Sequence, residues 1–360
     1  MPYIVELKGI TKKYGRIVAV DNIDLKVKEG EFFSLLGPSG CGKTTTLRII
    51  GGFVAQDSGT VTIDNNLMKN ISPDKRDTSM VFQDLALFPH LSVRENIVYG
   101  LKKRSFARTR IESEFYKIIK LVNLEGLENR RIAELSGGQK QRVALARSLI
   151  VNPKILLLDE PLASLDKKLR ISMRKELKQI QRKTGTTFLY VTHDQSEALT
   201  MSDTLAVMKA GKIIQSGTPD DIYNNPVNTF TADFIGAGNF IKLKNIKKQN
   251  SRYILTTEKN GKILSDKGLF KYGDSSTLYF FIRPEKIKVS KVPVCQGNCY
   301  KGVVRSSIFE GPDIRIAIYN PEVGELTAEI KNDSAVKNYR ENDKVFFYWN
   351  YNGGIILKGN

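Results

Sequence analysis

Leu135-Ser136-Gly137-Gly138-Gln139, read with Gly37-Pro38-Ser39-Gly40-Cys41-Gly42-Lys43-Thr44, decides the fold of this 360-residue chain. The second segment is a complete G-x-x-x-x-G-K-[ST] phosphate-binding loop. Gly37, Gly40 and Gly42 let the backbone turn its N–H groups toward phosphate oxygens, with Pro38, Ser39 and Cys41 completing the cradle. Lys43 is expected between the β- and γ-phosphates, Thr44 on Mg²⁺ through its hydroxyl, and Thr45 beside it. The apolar run Phe32-Phe33-Ser34-Leu35-Leu36 enters the loop, and Thr44 to Ile50 leaves it as a helix that stops at Gly51-Gly52. A chance glycine-rich turn would lack those flanks.

Further out, Ile155-Leu156-Leu157-Leu158 is a short, wholly apolar run that reads as a buried parallel strand. It ends in Asp159-Glu160: Asp159 is expected to hold Mg²⁺, and Glu160 to orient or deprotonate the attacking water. Alone, such a pair reads as an acidic helix start; after both glycine motifs it reads as catalytic. Leu165, Leu169, Met173, Leu177 and Ile180 then recur at helical spacing, and Phe188-Leu189-Tyr190-Val191 is the next strand. That strand delivers His193, assigned to the γ-phosphate and the attacking water, while Gln83 follows Met80-Val81-Phe82 as the sensor of metal and nucleotide. Tyr14 is expected to stack on adenine. Ser136, Gly137, Gly138 and Gln139 open a helix and form a second anion-binding terminus. The charged stretch 92–150 reads as an inserted helical subdomain, with Phe115, Ile118, Ile119 and Val122 on one face.

Beyond Gly236-Ala237-Gly238 helical periodicity fades. Short apolar runs at Leu278–Ile282, Ile314–Ile318, Val345–Trp349 and Ile355–Leu357 suggest a β-barrel or sandwich over 239–360. The net charge of +18 is read first as a solvated basic surface, ahead of attraction to nucleic acid or anionic lipid. No segment has the length and apolarity of a membrane span, and no leader is visible. Cys295 and Cys299 read as an incidental reduced pair. Cys41, just before a helix, is expected to have its thiol pKa lowered by the helix dipole.

The order Tyr14, Gly37–Thr44, Gln83, Leu135–Gln139, Asp159–Glu160, Asp166, His193 resembles that of ATP-binding-cassette (ABC) importer ATPases over essentially the whole chain. The resemblance implies an α/β P-loop NTPase of ABC type over 1–238 and an all-β, OB-like (TOBE) regulatory domain over 239–360. It also implies a head-to-tail homodimer in which ATP lies between Gly37–Thr44 of one copy and Ser136–Gln139 of the other, with Asp166 at that junction. The remaining implied partners are two transmembrane permease subunits above the dimer and, indirectly, an extracytoplasmic solute-binding protein; the site is the cytoplasmic face of the membrane, and no nucleic-acid partner is implied. Phe82–His90 and Ile282-Arg283-Pro284-Glu285 are similar to the subgroup with a C-terminal β-domain. Thr192–Asp203 and Gly217-Thr218-Pro219 most resemble spermidine/putrescine importer ATPases; ferric-iron, sugar and sulfate importer ATPases share nearly all of it. The chain departs from the family at Leu85, at Ala163-Ser164 and at Lys140. Leu85, Leu87 and Phe88 are candidates for the permease contact. A cassette ATPase acting on ribosomes or nucleic acid is the competing reading, and it lacks visible tandem cassettes or zinc modules.

Overall fold

Alternation of the buried side chains, rather than total apolarity, explains how the phosphate loop is held. The structure is a computed structural model that describes residues 2–267, 277–294, 297–332 and 339–359; Cys295 lies outside them. Two compact units divide the chain, Met1–Asp220 and Asp221–Asn360.

In chain order the first unit contains β1 (Tyr3–Tyr14), β2 (Ile17–Lys28), β3 (Phe32–Leu36), α1 (Lys43–Ile50), β4 (Ser58–Ile63), β5 (Asn66–Leu67) and β6 (Thr78–Val81). Then come α2 (Val93–Lys103), α3 (Arg108–Leu121), α4 (Gly137–Leu149), β7 (Ile155–Asp159) and α5 (Lys167–Thr184). The unit closes with β8 (Thr187–Thr192), α6 (Gln195–Met201), β9 (Thr204–Lys209) and β10 (Lys212–Gly217). The central sheet has the order β10-β9-β3-β8-β7-β6, parallel except for β10. A second, antiparallel sheet has the order β2-β1-β4-β5.

Strand side chains point alternately to opposite faces, so each central strand feeds two cores. Phe33, Leu35, Ile155, Leu157, Leu189 and Val191 pack with Leu47, Ile49 and Ile50 of α1 and with the antiparallel sheet. Phe32, Leu156, Leu158, Phe188 and Tyr190 pack instead with α2–α5. Helix α1 is thereby clamped beneath β3, which fixes the loop between them.

Side-chain caps set the starts of the helices around the site. Ser92 and Glu95 form a reciprocal capping box at α2, as do Ser136 and Gln139 at α4, and Asp166 accepts from Leu169 N at α5. Helix α5 stops at Gly185, whose φ of 65° closes the helix in the left-handed region.

The second unit begins earlier than residue 239. Helices α7 (Pro219–Asn224) and α8 (Thr229–Ile235) precede β11 (Asn239–Gln249), β12 (Arg252–Thr257), β13 (Lys262–Ser265), β14 (Leu278–Ile282), β15 (Lys288–Ser290), β16 (Asn298–Phe309), β17 (Asp313–Asn320), β18 (Gly324–Lys331), β19 (Lys344–Trp349) and β20 (Gly354–Lys358). These strands form two five-stranded sheets, β13-β12-β11-β14-β20 and β15-β19-β16-β17-β18. Arg283 is a central anchor of the early start, beside the Tyr223–Glu285 hydrogen bond and the packing of Ala232 on Phe281 and Leu357. Arg283, 1% exposed, donates to the carbonyls of Tyr223, Ala232, Gly236 and Ala237, so residues 221–238 bind to the strands that follow them. Among the described residues, no helix is long and apolar enough to cross a membrane.

Candidate functional site

Four neighbouring parallel strands bring the candidate residues to one sheet edge. Strand β3 runs into Gly37–Gly42, β8 ends before His193, β7 ends in Asp159, and β6 ends two residues before Gln83. Ligands of open α/β sheets bind beyond the carboxyl ends of such strands, because loops and helix N-termini gather there.

The phosphate loop is shaped by close approaches that leave no room for side chains. A Cβ on Gly37 would meet the Met208 carbonyl and Cys41 Sγ, and one on Gly42 would overlap the Ala19 carbonyl oxygen. Gly42 caps α1 with φ 105°, and no acidic residue occupies the helix's first turn, so its free N–H groups suit an anion. Lys43 is buried, and its Nζ donates to the carbonyls of Gly37 at 2.8 Å and Pro38 at 2.9 Å. The ammonium is thus parked inside the loop on neutral acceptors, where a phosphate would be a stronger partner.

Thr44 Oγ1 donates to Asp159 Oδ1 at 2.8 Å. Burial pushes the Asp159 carboxyl above its ordinary range, against the Thr44 hydrogen bond and the nearby Arg48 charge. A hydroxyl and an under-compensated carboxylate are hard oxygen donors that fit Mg²⁺, which takes one or two protein oxygens and completes its shell with phosphate and water. Thr44, Asp159, Gln83, Phe82, Asp84 and Arg48 line a cleft of about 630 Å³. Arg48 was not foreseen from the sequence, although its place four residues after Thr44 on α1 puts both on one helix face.

Glu160 sits just past β7 with φ 46°, a left-handed conformation that a non-glycine residue adopts only under local constraint. Its N–H donates to the Val191 carbonyl at 3.1 Å. Its Oε2 lies 2.9 Å from His193 Nδ1, so the carboxylate and the imidazole can act as a pair. Leu85 and Ala86 also have positive φ (64° and 45°), and their carbonyls accept from Arg147 at 2.9 and 2.7 Å. Leu85, Leu87 and Phe88 are each half-buried. The Phe88 ring packs on Tyr99, centroids 4.6 Å apart, with Arg147 over its face.

Other foreseen residues lie apart from this cleft. Ser136 is exposed, and its Oγ accepts from Gln139 N at 3.3 Å, which leaves the hydroxyl proton free to donate elsewhere. Cβ atoms on Gly137 and Gly138 would press on Leu165 and Leu169, so both glycines seat the start of α4 against the start of α5. Tyr14 is 49% exposed at a hairpin end, with Lys12 over its ring. Cys41 contradicts its expectation: it is buried, and burial pushes its thiol pKa up, outweighing the nearby Lys43 ammonium. A thiol held protonated in this way is a poor nucleophile.

Comparison with known proteins follows the same outline. The family described as ABC transporter matches residues 20–163, and the TOBE domain family matches 280–357. The spermidine/putrescine import ATP-binding protein PotA of Acetivibrio thermocellus is 48% identical over 310 residues, 86% of this chain and 85% of its own length. The protein of that name from Acidothermus cellulolyticus is 42% identical over 98% of this chain and 94% of its own. That from Clostridioides difficile is 46% identical over 88% of each. Among solved structures, cbiO1 of Clostridium perfringens, part of the ABC transporter complex cbiONQ, superposes with TM-score 0.58 and 30% identity over 62% of this chain and 91% of its own. The ATP-binding cassette MJ0796, solved as a dimer in a post-hydrolysis state bound to ADP and Pi, superposes with TM-score 0.54 and 34% identity over 60% and 98%.

Proposed function

The chain belongs to the ABC transporter family as an importer ATPase, and we propose from that premise that it drives uptake of polyamines, spermidine or putrescine. The observation that carries the catalytic part is the 2.9 Å approach of Glu160 Oε2 to His193 Nδ1, one strand away from the phosphate loop. The names of relatives aligned over 85% or more of their length support the cargo.

In this reading ATP is the substrate, with its phosphates on the free N–H groups of Gly37–Thr45 and its adenine on Tyr14. Lys43 exchanges its two carbonyl acceptors for phosphate oxygens. Thr44, Gln83 and Asp159 would hold Mg²⁺, which when bound would supply neutralisation of phosphate charge. Glu160 accepts the proton of the attacking water, and His193 orients that water against the γ-phosphate.

The signature Ser136-Gly137-Gly138-Gln139 completes the site from a second copy, with Asp166 at the same junction. The dimer of the MJ0796 cassette supports this assembly. Shifting a dimer from 1:99 closed-to-open to 99:1 requires about 5.5 kcal/mol of differential ATP affinity. A few charge-assisted hydrogen bonds, at roughly 1.5–3 kcal/mol each, supply that. The pair would bind peripherally at the cytoplasmic face of the membrane beneath two permease subunits, with Leu85, Leu87 and Phe88 near the contact.

Two measurements test the proposal. With ATP, Glu160→Gln should run as a dimer on size exclusion and hydrolyse at least about 100-fold more slowly; rapid turnover would remove Glu160 from the mechanism. Cells lacking this chain should lose uptake of labelled spermidine or putrescine. Retained polyamine uptake with lost uptake of ferric ion or sugar would reassign the cargo and leave the motor intact.

A further inference from the structure

A partly buried ion cluster outside the cleft, of which only Glu197 is fully buried, joins the turn after Glu160 to the segment that carries His193. Arg170 and Arg174 stand one turn apart on α5, so both guanidinium groups leave the same helix face. Arg174 Nη2 lies 2.9 Å from Asp194 Oδ2 and 3.6 Å from Glu197 Oε1. Arg170 Nη1 lies 3.5 Å from the same Asp194 oxygen, and its Nε 4.0 Å from Glu197 Oε1. The second Glu197 oxygen accepts from Tyr190 Oη and Thr192 Oγ1, each at 2.7 Å.

Both neighbours of His193 are held by this cluster. The Asp194 N–H donates to Thr192 Oγ1 at 2.9 Å, and Asp194 Oδ1 accepts from the Ser196 and Glu197 amides at the start of α6. Arg174 Nη1 donates to Ser196 Oγ at 2.8 Å. From the other side, Arg170 Nη2 donates to the Leu165 carbonyl at 2.9 Å, inside the turn between Glu160 and Asp166. Arg170 therefore touches both the stretch that follows Glu160 and the residue that follows His193.

Partly buried ion pairs add little net stability, because solvent screening and desolvation offset the attraction. What a guanidinium fork adds is direction, several donors at fixed angles to one another. We infer that Arg170, backed by Arg174, is a positioning residue for His193, setting its reach to Glu160 by tying the Glu160–Asp166 turn to the side chain of Asp194, the residue that follows His193. The inference rests on the proposed roles of Glu160 and His193 in hydrolysis. A lysine at 170 would keep the positive charge, but its single ammonium cannot serve the Leu165 carbonyl and both carboxylates in the fork's geometry.

The composition offers a clean readout, since His90 and His193 are the chain's two histidines. In the full-length protein labelled at His Cε1, His90→Ala assigns the two resonances. Arg170→Lys and Arg170→Met should each move the His193 resonance and leave that of His90 in place. Both should lower kcat for ATP hydrolysis about 10–100-fold, with KM for ATP within about twofold. If Arg170→Met does not fold, Arg170→Lys alone decides, its folding checked by thermal melting. A native-melting Arg170→Lys with an unmoved His193 resonance overturns the inference, and so does a moved resonance with unchanged kcat. Should His193→Ala hydrolyse ATP at the wild-type rate, the proposed role of His193 fails instead, and the resonance still reports whether Arg170 positions the ring.

Discussion

Gly42 and Gly15 both have positive φ, yet substituting them should have very different consequences. At Gly42, φ is 105° and a Cβ would overlap the Ala19 carbonyl; at Gly15, φ is 59° and a Cβ would meet nothing within 4 Å. Gly42→Ala should cost about 2–3 kcal/mol of strain and steric overlap, and it displaces the N–H groups at the start of α1. ATP affinity by calorimetry should fall at least tenfold (about 1.4 kcal/mol), with a lower melting temperature. Gly15→Ala should cost about 1 kcal/mol through its backbone conformation alone. Equal losses at the two sites would refute the steric account. The constraint at Glu160 belongs to the same scale. A left-handed carboxylate residue at the end of β7 is held by the Val191 carbonyl, and it aims its side chain at His193.

Among the elements, the turn 88–92 ahead of α2 depends on one side chain. Asn96 is fully buried; its Oδ1 accepts from Phe88 N at 2.9 Å, and its Nδ2 donates to the carbonyls of Phe88 and Ser92, each at 3.0 Å. Asn96→Ala strands these backbone groups and should cost about 2–3 kcal/mol in urea unfolding. Asn96→Asp should cost at least as much, since a carboxylate keeps the acceptor but cannot donate to either carbonyl. A neutral Asn96→Asp would contradict this arrangement. Element by element, legibility followed the local signal. Strand β7 and helix α5 were plain, because an unbroken apolar run and a four-residue repeat are properties of neighbours in sequence. Strand β11 gives no such signal. Its Ile241-Lys242-Leu243-Lys244 alternates buried and exposed positions, but its many lysines mask the pattern in composition. Cys41 was misread because dipole and burial oppose each other there, and only the folded surroundings say which is larger.

The second unit depends on Arg283, whose guanidinium joins α7 and α8 to the β-sheets while its plane lies over Tyr223, 4.1 Å from the ring centroid. Burial and the Glu285 hydrogen bond raise the Tyr223 phenol pKa to about 12. Arg283→Met should keep the volume and leave four carbonyls unpaired, a loss of at least about 3 kcal/mol. Hydrogen exchange should accelerate first across Thr229–Ile235; unchanged protection there would show that other contacts hold the helix. The boundary of this unit was invisible in sequence because Arg283 lies many residues from the carbonyls it binds. Motif order and period-two or period-four apolarity, being local, by themselves determined the cassette, its phosphate loop and the catalytic candidates. The approach of Glu160 to His193, the burial of Cys41 and the arginine cluster behind His193 were decided only by tertiary structure. Each depends on distances between segments far apart in the chain, and those distances exist only once the strands have paired and the two cores have closed on the faces of the central sheet.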